Sequence, residues 1–481
     1  MKKLLVAALA VVLATPAFAA IQNVKVSGDI TESYLNDYKL GLRTPVDPTN
    51  QYKQSVFLSQ VRLRVDADLS DNVSTQVGLI NERAWNAEGN APNVSGYDTN
   101  VQVYLANITL REFLYSPLTL VVGRQVFNYG NGLILGDGGP INSAAGDFAS
   151  IYAGLTQRTA YDGVKAILDY KPLTIDLIYF KNYQGLATVQ GQNVGGAKYS
   201  SDVFGYNANY QLSDPWSTVV EQYVFARVNG NGLASNIGAA GSVSGVGTIA
   251  DKSSTLYVPG LRASTNPIKG LNVQGEVAWQ LGKQVVNLGG VQEAENRNAM
   301  ALQLMGSYSL PVLQKYKPTV NASFTHVSGD KNSNTNASGN NVKSAKSFSA
   351  WDEFNSIQGA GTIYRAILPL SNENIISFGG SVSPLEDVTV GATWTSLWAV
   401  ERISGQNPLY LIQPNGTTSV LAATKNHDKG LGNEADVNVT YNYTEDVTFG
   451  LSLGWFVPGS VFSNTYSSNA SQAIASLGVK F

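Results

Sequence analysis

With no cysteine and only two histidines, His326 and His427, the chain has no thiolate chemistry and almost nothing for imidazole metal binding. Whatever it does must be done with carboxylates, guanidinium and ammonium groups, and hydroxyls. The charged residues recur in step. Arg62, Arg64, Asp66 and Asp68 occupy every second position, opposite Val61, Leu63, Val65 and Ala67, so on a strand all four charges share one face. The same parity in other alternating segments adds Lys25, Asp29, Arg111, Arg124, Lys165, Asp176, Glu221, Arg227, Arg262, Glu276, Glu434, Asp436 and Lys480. Guanidinium forks on such a wall bind carboxylates. With nine cations against eight anions in that set, however, a strong anion-attracting field does not follow.

Two other constellations carry less. His326-Val327-Ser328 puts a base and a nucleophile on one side of a strand, which a lipid hydrolase would need. The spacing is common by chance, and Ser328 falls at a strand end. Asp330, Asn332 and Asn334 offer oxygen ligands at alternate positions, but no bidentate Glu follows at EF-hand spacing, which favours a solvated loop over a calcium site. No catalytic residue, metal or cofactor is expected.

The elements that must position these charges follow from the rest of the chain. Lys2 and Lys3, the apolar run from Leu4 to Leu13, Pro16 and then Ala17-Phe18-Ala19 have the order of a secretory signal peptide over 1–20. The run is shorter than the roughly twenty residues of a membrane-spanning helix, and no later stretch reaches that length uninterrupted. An exported chain that enters a membrane without helices must do so as a closed barrel, because only closure pairs every backbone group of a sheet in lipid. Among 481 residues, 47 glycines and 24 tyrosines against three methionines suit short strands and tight turns. Without Lys2 and Lys3 the balance is 30 basic to 35 acidic residues. That gives no basic field, and nucleic acid is not an expected partner.

From Val24 onward, alternating segments of strand length recur near 24–37, 55–69, 73–86, 100–114, 118–130, 159–170, 173–184, 201–212, 217–229, 253–265, 271–284, 297–310, 318–328, 374–384, 388–401, 432–443, 447–458 and 471–481. They number eighteen. Short connections such as Ser70-Asp71-Asn72, Lys171-Pro172 and Thr444-Glu445-Asp446 alternate without exception with long ones rich in Gly, Asn, Ser and Asp. Both ends of the chain fall on the short-turn side. That sorting predicts an all-β, eighteen-stranded antiparallel transmembrane barrel over 21–481, in a bacterial outer membrane, with short periplasmic turns and long extracellular loops.

Alternation then assigns faces. The alternating charges point into the lumen, while Tyr104, Tyr170, Tyr179, Tyr210, Trp279, Tyr308, Trp394, Tyr441, Tyr443 and Phe481 take the lipid-facing parity, many near strand ends as interfacial girdles. Strand 118–130 is ambiguous, because Leu118 to Val122 is apolar on both faces; Arg124 is placed inward on the ground that a mid-depth cation facing lipid costs about 2–4 kcal/mol. Any constriction must come from lumen side chains or from loops 131–158 and 329–373. The last strand, Ser471–Phe481, has Ala475, Leu477, Val479 and Phe481 on its lipid face. It should close the barrel against Val24, Val26 and Ile30.

Three stretches resemble a known family. Val122-Gly123-Arg124-Gln125-Val126-Phe127-Asn128-Tyr129-Gly130-Asn131-Gly132, Arg158-Thr159-Ala160-Tyr161-Asp162-Gly163-Val164-Lys165-Ala166 and Ser328-Gly329-Asp330-Lys331-Asn332 are similar to segments of the alginate-export outer-membrane family. The resemblance implies an eighteen-stranded barrel with an arginine-rich lumen through which an acidic polysaccharide passes, with Arg124 matching the family motif and Lys165 standing where a cation is usual. The expected function is a channel for hydrophilic, anionic or sugar-like solutes, with dedicated polysaccharide export as the alternative. Expected partners are outer-membrane lipid, the solute, and the barrel-assembly machinery that reads the terminal Phe481.

Overall fold

Period-two alternation becomes strand wherever the sequence carries it. In a computed structural model, described over residues 23–42, 53–85, 101–136, 155, 160–184, 187–189, 192–194, 200–229, 254–288, 291–330, 347–354, 361–402, 409–412, 418–421, 428–462 and 466–481, all eighteen segments form strands of one wall. They are β1 (Asn23–Tyr38), β2 (Lys53–Ser70), β3 (Val73–Ala84), β4 (Gln102–Leu110), β5 (Leu118–Gln125), β6 (Tyr161–Asp169), β7 (Leu173–Gln184), β8 (Ser200–Gln211), β9 (Val219–Asn229), β10 (Ser254–Ile268), β11 (Leu271–Leu288), β12 (Val291–Ser309), β13 (Thr319–Val327), β14 (Glu373–Leu385), β15 (Val388–Ala399), β16 (Gly430–Asn442), β17 (Val447–Pro458) and β18 (Ala470–Lys480). Each pairs antiparallel with the next, and β18 pairs with β1, so the wall has no free side. The expected signal peptide, 1–20, lies outside the described residues, as does much of the long connections.

Closure runs through the terminal residue. Gly28 and Phe481 exchange backbone hydrogen bonds at 2.8 and 3.0 Å, and a Cβ on Gly28 would fall 2.6 Å from the Phe481 ring. Ile30 stands opposite Val479 and Asp29 opposite Lys480, as parity requires. Val24 and Val26 do not join this seam. They precede its first pair and are held from one side only, by Ala67 and Val65 of β2.

The short connections are the eight expected reversals. Outward positions are apolar and exposed, as at Val61, Leu63, Leu451 and Trp455, and the exposed rings of Tyr170, Tyr210, Trp279, Trp394, Tyr443 and Phe481 lie on the lipid side. Tyr104 does not. The register of β3 against β4 shifts between Gly78 and Leu79, and this irregularity turns the Tyr104 ring onto lumen-facing Gly78, where a Cβ would meet it at 2.7 Å.

The larger departure is inside the barrel. Inward positions near the long-loop ends of the strands are apolar and buried, among them Leu35, Leu58, Phe180, Val203, Phe225, Val258, Val327, Leu397 and Phe456. Leu133, Ile134, Leu135, Trp351, Ile363, Tyr364 and Ile367, from two inserted segments, pack against them in one core. The extracellular half of the lumen is therefore narrowed by protein, whereas the periplasmic half keeps the polar lining that alternation predicts.

Candidate channel lumen

Of the two segments that narrow the lumen, residues 347–354 and 361–372 belong to the expected loop 329–373, whereas 126–136 begins five residues inside the expected strand 118–130, because the strand stops at Gln125. Residues 126–136 follow β5 and cross the interior. Phe127 stacks on Phe180 with ring centroids 4.7 Å apart, and the Tyr129 hydroxyl donates to Asp176 of β7 at 3.0 Å. Burial and the Asp176 carboxylate hold this phenol well above its usual pKa, so it remains a donor. Asn131 reaches the far wall, donating to Gln274 Oε1 of β11 at 2.8 Å. Two glycines, Gly130 and Gly132, supply the positive φ values of 57° and 71° that the turn needs.

A second strap, 347–354 and 361–372, enters from the connection between β13 and β14. Ser347–Phe348 adds a two-residue parallel strand to Asn296–Arg297 of β12. Asp352 exchanges two hydrogen bonds with Gln280 of β11, its N–H at 2.9 Å from Oε1 and its carbonyl at 2.6 Å from Nε2. Farther on, the carboxylate of Glu434 in β16 accepts from the N–H groups of Thr362, Ile363 and Tyr364 at 2.6, 2.7 and 2.7 Å, at the start of the single-turn helix α1 (Tyr364–Ile367). Gly361 sits with φ +90° where a Cβ would be 2.8 Å from that carboxylate, so the close approach needs glycine.

The expected lumen residues separate into four groups. Arg62, Arg64 and Asp66 face the periplasmic half of the lumen, with Arg62 Nε 2.9 Å from Asp29 Oδ1 and Arg64 Nε 2.8 Å from Asp66 Oδ2. Arg227, Arg262 and Glu221 face inward but hold the inserted segments. Arg227 Nη2 lies 2.6 Å from Asp352 Oδ2, while Arg262 pairs with Glu221 and donates to Gln274 Oε1 at 2.7 Å and Asn131 Oδ1 at 3.3 Å. Lys165 and Asp176 lie under segment 126–136, the ammonium 5.1 Å above the Phe127 ring. Arg111 and Arg124 are not in the lumen.

Both exceptions have a physical reason. Arg111 lies one residue beyond β4, in the periplasmic connection, with its guanidinium 3.5 Å from the Asp71 carbonyl. Arg124 is on the outer face. Its neighbours Gln125 and Phe127 are buried inward and Val122 and Val126 are exposed outward, which sets the parity. The guanidinium grips Asp162 of β6 through two hydrogen bonds of 3.0 and 2.7 Å and donates to the Val103 carbonyl at 2.8 Å. The penalty used to place it inward applies at mid-depth and falls to about 0–1 kcal/mol near the interface, and Arg124 is one residue from the extracellular end of β5. It begins a row of alternating charges across four strands, Arg124, Asp162, Lys181 and Asp202, in cross-strand register.

Alternation missed Asp352 and Trp351, because a strap has no period. Arg297 was readable, since it shares the inward parity of Ala299 and Ala301; it donates to the Ala350 carbonyl at 2.8 Å. The hydrolase constellation dissolves. Ser328 Oγ donates to the Ser349 carbonyl at 2.7 Å and accepts from the Met300 N–H at 2.9 Å, while His326 is bonded to Asn374. Of the oxygen-ligand set, Asn332 and Asn334 lie outside the described residues, and Asp330 is buried against Ser349.

A sequence model of the family described as alginate export matches residues 223–476, from within β9 into β18. The chain belongs to the alginate-export family. Crystal structures of outer-membrane proteins share its fold at low identity. OpdK of Pseudomonas aeruginosa is 10% identical with a TM-score of 0.55, the match covering 96% of this chain and 99% of that one. OccK5 (OpdH) of the same organism is 10% identical with a TM-score of 0.53, over 96% and 99%. OccAB1 of Acinetobacter baumannii is 10% identical with a TM-score of 0.54, over 97% and 98%. No curated protein matches in sequence. Family and fold together make this member of the alginate-export family an outer-membrane, porin-like channel and not an enzyme.

Proposed function

We propose that the chain is a passive channel for small hydrophilic, sugar-sized solutes, with little preference for anions. One observation carries the reading: each inward-facing arginine expected from the sequence has a carboxylate on its guanidinium, Asp29 for Arg62, Asp66 for Arg64, Asp352 for Arg227 and Glu221 for Arg262. A sliding polyanion needs successive open cations, and here the arginines are already engaged. The two inserted segments also occupy the extracellular half of the bore that a polymer would need. Family membership speaks for the competing reading, export of an acidic polysaccharide. Phe481, exposed at the seam, is proposed as the contact for the assembly machinery.

Planar-bilayer recordings separate the two readings. The channel reading expects a steady ionic conductance with a reversal potential near zero in a salt gradient. A closed pore, or one blocked by uronate oligomers with strong anion selectivity, would replace it with the exporter.

A further inference from the structure

We propose that the cavity between the inserted strap and the inner wall of β11 to β16 is a subsite for a hydroxylated solute bearing one ammonium group, with Asp436 as its counter-ion. The proposal rests on the channel reading above and deepens it by assigning the charge of the solute. The cavity has a volume of about 440 Å3, within the range that holds one small ligand. Asn272, Asn321, Ser377, Thr393 and Asn438 give it amides and hydroxyls from five strands, and Asp436 is the single charged residue among those that line it. Such a lining meets sugar hydroxyls with both donors and acceptors.

Asp436 is the unusual member. It is 3% exposed, its Oδ1 accepts from Thr362 Oγ1 at 3.0 Å, and its carboxyl is hydrogen-bonded to that of Glu434, with no cation paired to either among the described residues. Glu434, two residues away on the same face, is taken up by the three strap N–H groups. On the β11 side, the guanidinium of Arg262 is committed to Glu221, Gln274 and Asn131. Two buried carboxyls side by side without a cation are unfavourable, and an incoming ammonium group would supply the missing charge and a charge-assisted donor. A uronate would instead set a second carboxylate beside Asp436 and Glu434. The preference is the reverse of that of a polyanion conduit.

The test is current block of the full barrel in planar bilayers at near-neutral pH by glucosamine, N-acetylglucosamine, glucose and glucuronate. These probes share a ring and differ in charge. Glucosamine should block about tenfold longer than its uncharged N-acetyl form, glucuronate should block least, and Asp436→Asn should bring glucosamine down to the level of glucose. The comparison among the four sugars uses the unaltered protein, so it stands even if the variant fails to fold. Equal block by all four, a longer block by glucuronate, or a glucosamine preference that survives in folded Asp436→Asn overturns the subsite and leaves the channel standing. Absence of any ionic conductance overturns the channel reading itself.

Discussion

The two halves of the lumen contain the same ion pair, a guanidinium on a carboxylate, in two different media. In the periplasmic half the Arg64 and Asp66 side chains are 45% and 33% exposed, so water screens them and such a pair contributes about 0–1 kcal/mol. In the extracellular half the Arg227 and Asp352 side chains are 11% and 7% exposed, beneath Phe354 and beside the strap. Removing one partner there leaves a buried charge uncompensated, at about 3–5 kcal/mol. The extracellular half thus behaves as a protein core that fixes the shape of the passage. The periplasmic half behaves as a wetted vestibule whose charges can change without disturbing the fold.

Substitutions in the two halves should therefore differ in cost. The largest effect is expected from Trp351→Ala, which empties a fully buried position in the strap and should cost about 3–5 kcal/mol. Denaturant unfolding in detergent reads the loss, and conductance should rise as the strap loosens. Arg227→Ala should cost somewhat less, about 3 kcal/mol, because Arg297 Nη2 already lies 3.8 Å from the same Asp352 oxygen. Arg64→Ala, the matching change in the vestibule, should cost less than about 1 kcal/mol; a loss as large as that of Arg227→Ala would mean that the two halves do not differ. The smallest effect sharpens the assignment of faces. Arg62→Glu should move the reversal potential toward cation selectivity, whereas Arg124→Glu, on the outer face, should leave it unchanged.

Arg124 also shows where reading by sequence reached its limit. In β2 the apolar face is unambiguous, and Arg62, Arg64 and Asp66 fall where alternation puts them. In β5 both parities are apolar from Leu118 to Val122, so the direction of Arg124 had to be inferred from an energy penalty whose size depends on depth. Depth depends on where the strand stops, and β5 stops at Gln125 because the chain turns into the lumen there. The partner, Asp162, was visible in the second family-like stretch, but only pairing of β5 with β6 brings the two together on the outside.

The narrowed half of the lumen left a partial trace. Ile178-Tyr179-Phe180 and Val224-Phe225-Ala226 are apolar on both parities near the long-loop ends, which is what a strand looks like when lipid covers one face and protein the other. Near the periplasmic turns, Asn207, Asn272 and Ser323 restore the alternation.

Sequence alone determined the number of strands, their order, the side on which the chain begins and ends, and the class of membrane. Those properties follow from local rules, because alternation, turn residues and loop length are each decided within a few residues. Tertiary structure decided what occupies the bore. Glu434 meets Thr362 across 72 residues and Asn131 meets Gln274 across 143. Whether an arginine is free for a solute or engaged by a carboxylate depends on contacts of that range, for which no periodicity in the chain provides a sign.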